Sequence, residues 1–126
     1  MSVNSLQTSM SAIRANQFRL DVSANNVANV NTSEFRASEV AATDAAYVNS
    51  IGAGVRIAAT YASPRQGPAT IDAAAGATSQ GTLEQSNTDL VTEMTNQMNS
   101  RNAYTANIAA GRTQMDVSQT LLDLVG

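Results

Sequence analysis

The sequence predicts a mainly α-helical protein, with long N- and C-terminal helices packed as an antiparallel coiled-coil-like pair and a small irregular or β middle segment. At both ends of the chain, apolar residues recur at alternating spacings of three and four, which is typical of helices that pack along a seam. Between the ends, glycine, proline and alternating apolar residues favour turns and strands. We expect an N-terminal helix with its end signature over 1–36, a middle segment over 37–82 and a C-terminal helix over 83–126, the two helices forming one core domain.

The N-terminal stripe spans about 27 residues, which would measure about 40 Å as a helix. Asn4 and Gln7 resemble a capping box at its start. The helix should end in the asparagine-rich stretch 25–32, because asparagine side chains compete with the helical backbone for hydrogen bonds. Phe35 is then expected to anchor the chain against the helices. The stripe consists of Val3, Leu6, Met10, Ile13, Gln17, Leu20, Ala24 and Val27.

The C-terminal stripe predicts a helix over Thr88–Leu124. Ser86 or Asn87 can cap this helix, and the acidic residues Asp89 and Glu93 favour its positive N-terminal end. The stripe consists of Leu90, Met94, Gln97, Arg101, Tyr104, Ile108, Gly111, Met115, Ser118, Leu122 and Val125.

Polar residues interrupt both stripes at Gln17, Gln97 and Arg101, where a two-helix seam favours leucine. One interpretation is a merely amphipathic helix whose register drifts. The other is that these side chains hydrogen-bond to other subunits and set the register of an assembly, at some cost in stability. We favour the second interpretation because both terminal segments show the pattern.

The middle segment has no helical pattern. Apolar and polar residues alternate over Val55–Tyr61, which predicts a strand. The composition of Ser63–Pro68 is that of a turn. The stretch Ala69–Gln80 is rich in Ala, Thr and Ser, and we expect a mobile loop there because it has little to bury.

Composition argues against several kinds of site. The chain has no Cys and no His, which removes thiolate nucleophiles, disulfides, histidine bases and zinc sites built from these ligands. Lys is absent, the seven Arg are scattered and the net charge is −3, so nucleic-acid binding is not expected. Residues 1–20 lack the apolar core of a signal peptide, and no stretch is long enough to span a membrane. We expect no cofactor, no metal, no small-molecule substrate and no enzymatic activity.

Two segments resemble the bacterial flagellar axial proteins, the family of rod, hook and hook-associated subunits. Residues 24–32, Ala-Asn-Asn-Val-Ala-Asn-Val-Asn-Thr, with Phe35-Arg36 after them, are similar to the N-terminal signature of that family. Residues 81–90, Gly-Thr-Leu-Glu-Gln-Ser-Asn-Thr-Asp-Leu, resemble the start of its C-terminal helix. The short middle segment is most like the small proximal-rod class, the FlgC type, although the residues before Asn87 look more like the hook and distal-rod version. Many members have Gly where this chain has Glu34, which puts the turn before Phe35 in doubt.

The resemblance implies a structural subunit that polymerises through its terminal helices with copies of itself and with other flagellar rod subunits. It also implies passage through the flagellar type III export apparatus without a cleavable signal peptide, and a place in the periplasmic rod, the drive shaft that transmits torque and encloses the export channel. The residues expected at subunit interfaces or in helix packing are Leu6, Met10, Ile13, Leu20, Asn25, Asn26, Val27, Asn29, Asn31, Phe35, Asn87, Leu90, Met94, Arg101, Tyr104, Asn107, Ile108, Leu121 and Leu124.

The alternative is a coiled-coil adaptor or a type III secretion chaperone. Such a protein should be helical and discrete by itself, whereas the ends of a rod subunit should become ordered only against their neighbours. Concentration-dependent order therefore discriminates between the two functions.

Overall fold

The computed structural model describes residues 2–44, 54–71 and 82–125. Helix α1 is Ser2–Ala28 and helix α2 is Leu90–Val125. The strands between them are β1 Ser38–Asp44, β2 Val55–Ala62, β3 Ala69–Ile71 and β4 Thr82–Glu84. The predicted mainly helical fold with a small β-containing middle is confirmed.

The two helices pack against each other in antiparallel directions, as predicted. Ser23, near the end of α1, hydrogen-bonds to Glu93, near the start of α2. At the other end of the pair, Leu6 and Ser9 lie closest to Gly111, where a Cβ atom would sit 3.9 Å from Leu6 Cδ1. Since α2 has 36 residues and α1 has 27, the last turns of α2 extend beyond the start of α1.

The buried side chains of the described residues are mostly small and polar. Among the described residues, the buried hydrophobic side chains are those of Ala15 and Ala37. Buried polar side chains outnumber them, which is the reverse of an ordinary protein core. These polar residues are Asn16, Ser23, Asn26, Ser63, Ser86, Glu93 and Ser100.

The middle segment adds two antiparallel ladders. Strand β1 pairs with β2 from Ser38 opposite Ala62 to Asp44 opposite Val55, and the register shifts between Ala41 and Ala42. The strand predicted over residues 55–61 is therefore confirmed. A hydrogen bond from the Val55 amide to Ser11 Oγ, 3.0 Å long, holds this hairpin against α1. Next to it, Gly54 has a φ of 98° and faces Ser11 so closely that a side chain would collide, so this position requires glycine.

The prediction of a loop over residues 69–80 is wrong for its first three residues. Ala69–Ile71 form β3, which pairs with β4 so that Ala69 lies opposite Glu84. The composition of this stretch carried no strand signal because a three-residue ladder depends on its partner rather than on its own side chains. Residues 72–80 lie outside the described residues, as do Gly52 and Ala53.

The helix ends differ from the predicted caps. Helix α1 begins at Ser2, so Asn4 lies inside the helix and its carbonyl accepts a bond from Thr8 Oγ1. At the start of α2 the cap is Asp89, not Ser86 or Asn87. Its carboxylate accepts hydrogen bonds from the amides of Val91 and Thr92 and from the Thr92 hydroxyl.

The end of α1 falls where the asparagine-rich stretch predicts it. The chain leaves the helix through a turn in which the Asn29 amide bonds the carbonyls of Asn25 and Asn26. Glu34 follows with a φ of 61°, a left-handed conformation that favours glycine. The turn at Glu34 thus keeps a backbone shape that glycine would adopt more easily.

We predict that Asp89 makes the helical content of the chain sensitive to acid. The hydrogen bonds from the Thr92 amide, the Thr92 hydroxyl and the Val91 amide lower the pKa of Asp89. Because the pKa is lower in the folded chain, this stabilisation is present above the ordinary aspartate pKa of about 4 and is lost as pH falls through the folded value. Asp89→Asn keeps a capping side chain and should remove this part of the acid transition in circular dichroism.

The control for this experiment is Asp116→Asn, an exposed aspartate within α2, which should leave the acid transition unchanged. Asp89→Ala should lower the helical content at neutral pH, because the first amides of α2 lose their acceptor. Identical acid transitions in the wild-type chain and Asp89→Asn would contradict the prediction.

Candidate assembly surface

A buried hydrogen-bond cluster joins α1, α2 and β1. Ser23 Oγ lies 2.5 Å from Oε2 of Glu93, and Asn26 Nδ2 donates to Oε1 of the same carboxylate at 2.9 Å. Glu93 lies in the first turn of α2, where the helix dipole favours a negative charge. Because each of its oxygens accepts a hydrogen bond, the carboxylate can lie between the helices without an arginine partner.

Asn26 also fixes the hairpin to the helices. Its side chain donates to the carbonyl of Ser38 at 2.9 Å and accepts from the amide of the same residue at 2.8 Å. This pair of bonds copies one rung of a β ladder at the start of β1. Only 1 % of Asn26 is exposed, so an apolar side chain here would leave several polar groups unpaired.

Asn87, in the segment before α2, likewise binds backbone groups of other segments through its side chain. Its Oδ1 accepts from the Ala37 amide at 2.7 Å, and its Nδ2 donates to the Arg65 carbonyl at 2.6 Å. Its own amide donates to the carbonyl of Phe35 at 3.3 Å. Both signature segments of the sequence therefore meet at one junction, which lies beside the end of α1 and the start of α2.

Glu84 makes further contacts at this junction. It accepts a hydrogen bond from the amide of Gly67 at 2.9 Å and forms an ion pair with Arg36 at 3.5 Å. The Glu84 carbonyl accepts from the amide of Glu34 at 2.8 Å, which holds the left-handed turn in place. A side chain at Gly67 would collide with the backbone of Gln85.

The junction borders an open polar cleft of about 520 Å³. Arg19 and Arg65 line it together with the carboxylates of Glu39, Asp89 and Glu93. The mixture of signs offers no concentrated field for a charged small molecule. No metal-binding group of acidic residues occurs within the described ranges, and none of the helices there is apolar enough over a sufficient length to cross a membrane.

The residues predicted for interfaces fall into three sets by exposure. Asn26 is buried. The half-buried set is Leu6, Ile13, Leu20, Val27, Asn29, Phe35, Asn87, Tyr104, Asn107 and Ile108. The exposed set is Met10, Asn25, Asn31, Leu90, Met94, Arg101, Leu121 and Leu124. The exposed set takes no part in the interior of the helix pair, and its role at subunit contacts stays a prediction.

The buried positions of Ser23, Ser100 and Glu93 are not among those that the sequence predicts for packing. The sequence predicts Glu93 as a charge at the helix start and Leu90 and Met94 as members of the α2 stripe, whereas Glu93 is buried and the side chains of Leu90 and Met94 are exposed. Glu93, Ser100 and Gly111 recur at helical spacing, and the structure shows that all three are buried. Apolar periodicity does not predict buried polar positions such as Glu93 and Ser100, because their burial depends on hydrogen-bond partners from other segments.

Many large apolar side chains lie on the outer surface of the helices. On α1 the exposed ones are Met10 and Phe18. On α2 they are Leu90, Val91, Met94, Met98, Met115, Val117, Leu121, Leu122, Leu124 and Val125. An accumulation of this kind is typical of a surface that other chains cover.

We predict that Asn26→Ala destabilises the folded chain by about 1–3 kcal/mol, because it leaves the Ser38 backbone groups and the Glu93 carboxylate short of partners. The measurement is urea unfolding followed by circular dichroism, in trimethylamine N-oxide to favour the folded state. Asn25→Ala is the matched control, since this neighbouring side chain is exposed. Equal effects of the two substitutions would show that the cluster does not hold the junction together.

Comparison with protein families identifies both ends of the chain. A family model described as "Flagella basal body rod protein" matches residues 6–36, which comprise most of α1 and the turn after it. A second, described as "Flagellar basal body rod FlgEFG protein C-terminal", matches residues 79–124, which include β4 and nearly all of α2. No curated protein matches the chain. The two family matches together cover more than half of the sequence and carry both signatures in the expected order. In the structure the two matched segments meet at the junction around Asn26 and Asn87. The chain therefore belongs to the flagellar basal-body rod protein family.

Proposed function

We propose that this structural component of the flagellar basal body polymerises through α1 and α2 with copies of itself and with other rod subunits. The observation that carries the proposal is the distribution of side chains in the helix pair. The buried side chains of the described chain are mostly polar or small, whereas many large apolar ones, including Met94 and Leu121, are exposed. Such a pair gains little from burial when alone and much more when neighbouring helices cover it.

The proposal extends to the position of the subunit in the rod. The residues between the helices form only two small ladders in the described part of the chain, which supports the small proximal-rod class, the FlgC type. The family description matched by residues 79–124 names FlgEFG proteins, which favours a C-terminal helix of the hook and distal-rod kind on this short chain. We propose the periplasmic proximal rod as its location and the flagellar type III export apparatus as its route.

The proposed subunit acts mechanically and carries out no catalysis. Torque passes through packed helices, so the relevant sites are the half-buried and exposed interface residues together with the junction that orients α1 and α2. The proposed division is an N-terminal helix and signature over 1–36, a middle segment over 37–82 and a C-terminal helix over 83–126. In this proposal the helices form the core that polymerises, and the middle segment packs against that core.

The same distribution of side chains predicts weak order in the isolated chain. Fixing one residue costs about 1–2 kcal/mol, and alanine-sized burial in a single helix pair returns little of that cost. Circular dichroism of the purified chain should show well under the helical content that α1 and α2 represent. A fully helical monomer with a sharp, cooperative melt would contradict the proposal and favour the secretion-chaperone alternative.

Substitutions at half-buried positions test assembly directly. We predict that Leu20→Asp and Tyr104→Asp abolish incorporation into the rod while synthesis and export stay near the wild-type level, because a carboxylate cannot be buried there without a partner. The measurement is the amount of the chain in purified basal bodies and in whole cells. Leu20→Met and Tyr104→Phe are the matched controls and should incorporate. Normal rod incorporation of both aspartate variants would overturn the proposal.

A further inference from the structure

The polar cleft beside the junction separates β1 from α2. Both elements are connected through the cleft to α1, and within the described part of the chain β1 packs on α1 and β2 but not on α2. The cleft of about 520 Å³ is lined on α1 by Arg19, Ser23 and Asn26 and on β1 by Ser38 and Val40. One edge of β1 therefore borders an open groove, while β2 pairs with the other edge.

The backbone groups of β1 point alternately to its two edges. The Ser63 amide donates to the Ala37 carbonyl at 2.7 Å, so Ala37 faces the β2 side. Ser38 faces the opposite edge, where Asn26 binds both its N–H and its C=O. Two residues later, Val40 directs its own N–H and C=O to that same edge. Within the described ranges no residue outside the hairpin hydrogen-bonds to these groups, so the edge at which Asn26 binds is open at Val40.

The open edge follows α1 from the junction toward the start of the helix. The first residue of β1, Ser38, is bonded to Asn26. The last residue, Asp44, lies opposite Val55, whose amide bonds to Ser11. The strand measures about 20 Å and the stretch of α1 from Ser11 to Asn26 about 22 Å. Because the two lengths agree, positions along β1 can be matched with positions along α1.

Two arginines of the cleft lie along this edge. Arg19 precedes Asn26 by seven residues, or about 10 Å along α1. Val40 lies about 7 Å from the start of β1, so Arg19 is nearly level with it. Arg65 lies at the junction end of the cleft, where its carbonyl accepts a hydrogen bond from Asn87. The open backbone groups of the edge thus have a guanidinium group on either side.

The carboxylates of the cleft have hydrogen-bond partners in the chain, whereas its arginines have no acidic partner. Glu93 accepts from side chains of α1, Asp89 from the first amides of α2, and Glu39 from a tyrosine hydroxyl of β2. The one ion pair within residues 2–44, 54–71 and 82–125 includes neither Arg19 nor Arg65. Arg65 lies near Asp89 without forming an ion pair with it. The groups that the cleft leaves for a ligand are therefore two guanidinium groups and one pair of backbone groups.

We propose that this cleft binds an extended segment of another polypeptide that carries an aspartate or glutamate side chain. The backbone of the segment pairs with the N–H and C=O of Val40, as a strand added to a sheet edge does. Its carboxylate binds Arg19 or Arg65 through charge-assisted hydrogen bonds. These local bonds select the segment, since the mixed charges of the cleft supply no strong long-range field.

The open backbone groups also decide which kind of partner fits. A helix cannot bind Val40 in this way, because its backbone groups are already bonded to one another. An extended segment has free N–H and C=O groups at the spacing of the strand edge. The proposed partner therefore differs from the helices that cover α1 and α2 in the proposed rod, and the inference does not rest on that function.

The probe for this contact is a fluorescein-labelled octapeptide of alternating Thr and Glu, whose binding is followed by fluorescence anisotropy. The full chain is held folded by Ser9→Cys with Gly111→Cys, because their Cβ atoms would lie 4.0 Å apart, a distance that a disulfide bridges. Trimethylamine N-oxide is added until circular dichroism shows the helical content of α1 and α2. We expect saturable binding, and binding weaker by about tenfold or more for a peptide of alternating Thr and Gln.

Variants of the locked chain locate the bound peptide. Arg19→Ala combined with Arg65→Ala should weaken binding about tenfold or more, whereas Arg112→Ala, an exposed arginine outside the cleft, should not. Val40→Pro removes the amide on the open edge without touching the β1–β2 ladder and should abolish binding, whereas Val40→Ala should retain it. A fully N-methylated peptide should also fail to bind the locked chain, which tests the backbone contact without altering the protein.

The outcomes decide the proposal. It is overturned if the locked chain does not bind the Thr-Glu peptide, or if the Thr-Gln or N-methylated peptide binds equally well. Unchanged binding by the double arginine variant also overturns it. If the locked chain dimerises without peptide and Val40→Pro dissolves the dimer, a second copy occupies the cleft and the proposal is wrong. None of these results bears on the rod assignment, which is scored separately by incorporation into basal bodies.

Discussion

The carboxylate of Glu93 accepts hydrogen bonds from Ser23 and Asn26 on α1, and Asn26 in turn holds both backbone groups of Ser38 at the start of β1. These bonds determine the relative placement of the two helices and the hairpin. A buried carboxylate is costly unless hydrogen bonds compensate it, so a shift of α1 against α2 that breaks the bonds from Ser23 and Asn26 is penalised.

The hydrogen bonds of Asn26 and Asn87 explain why these two positions of the family signatures carry asparagine. Asn26 and Asn87 each offer one donor and one acceptor to backbone groups that no helix or strand satisfies. An aspartate would supply only acceptors and a serine only one short hydroxyl. The junction between helix, hairpin and C-terminal segment thus depends on amide side chains at two positions far apart in sequence.

Buried polar side chains together with exposed large apolar ones suit a chain that assembles with neighbours. Hydrogen bonds in the seam specify which helix pairs with which and in what register, while contributing little net stability. Apolar burial is left for contacts between chains, where it can stabilise the assembly most. The folding of each copy and the growth of the assembly would then be coupled, as expected when binding and ordering occur together.

The sequence by itself determined the two helices, their antiparallel pairing, the strand at residues 55–61 and the family. These features rest on local periodicity, on breaks such as the asparagine-rich stretch 25–32, and on two signatures that need no knowledge of contacts. Only the tertiary structure decided that Asp89 caps α2, that residues 69–71 form a strand, and that Glu93 and Ser100 lie inside while Leu90 and Met94 lie outside. The reason is that a polar side chain is stable in an interior only when partners from distant segments satisfy it, and one-dimensional periodicity does not record those partners.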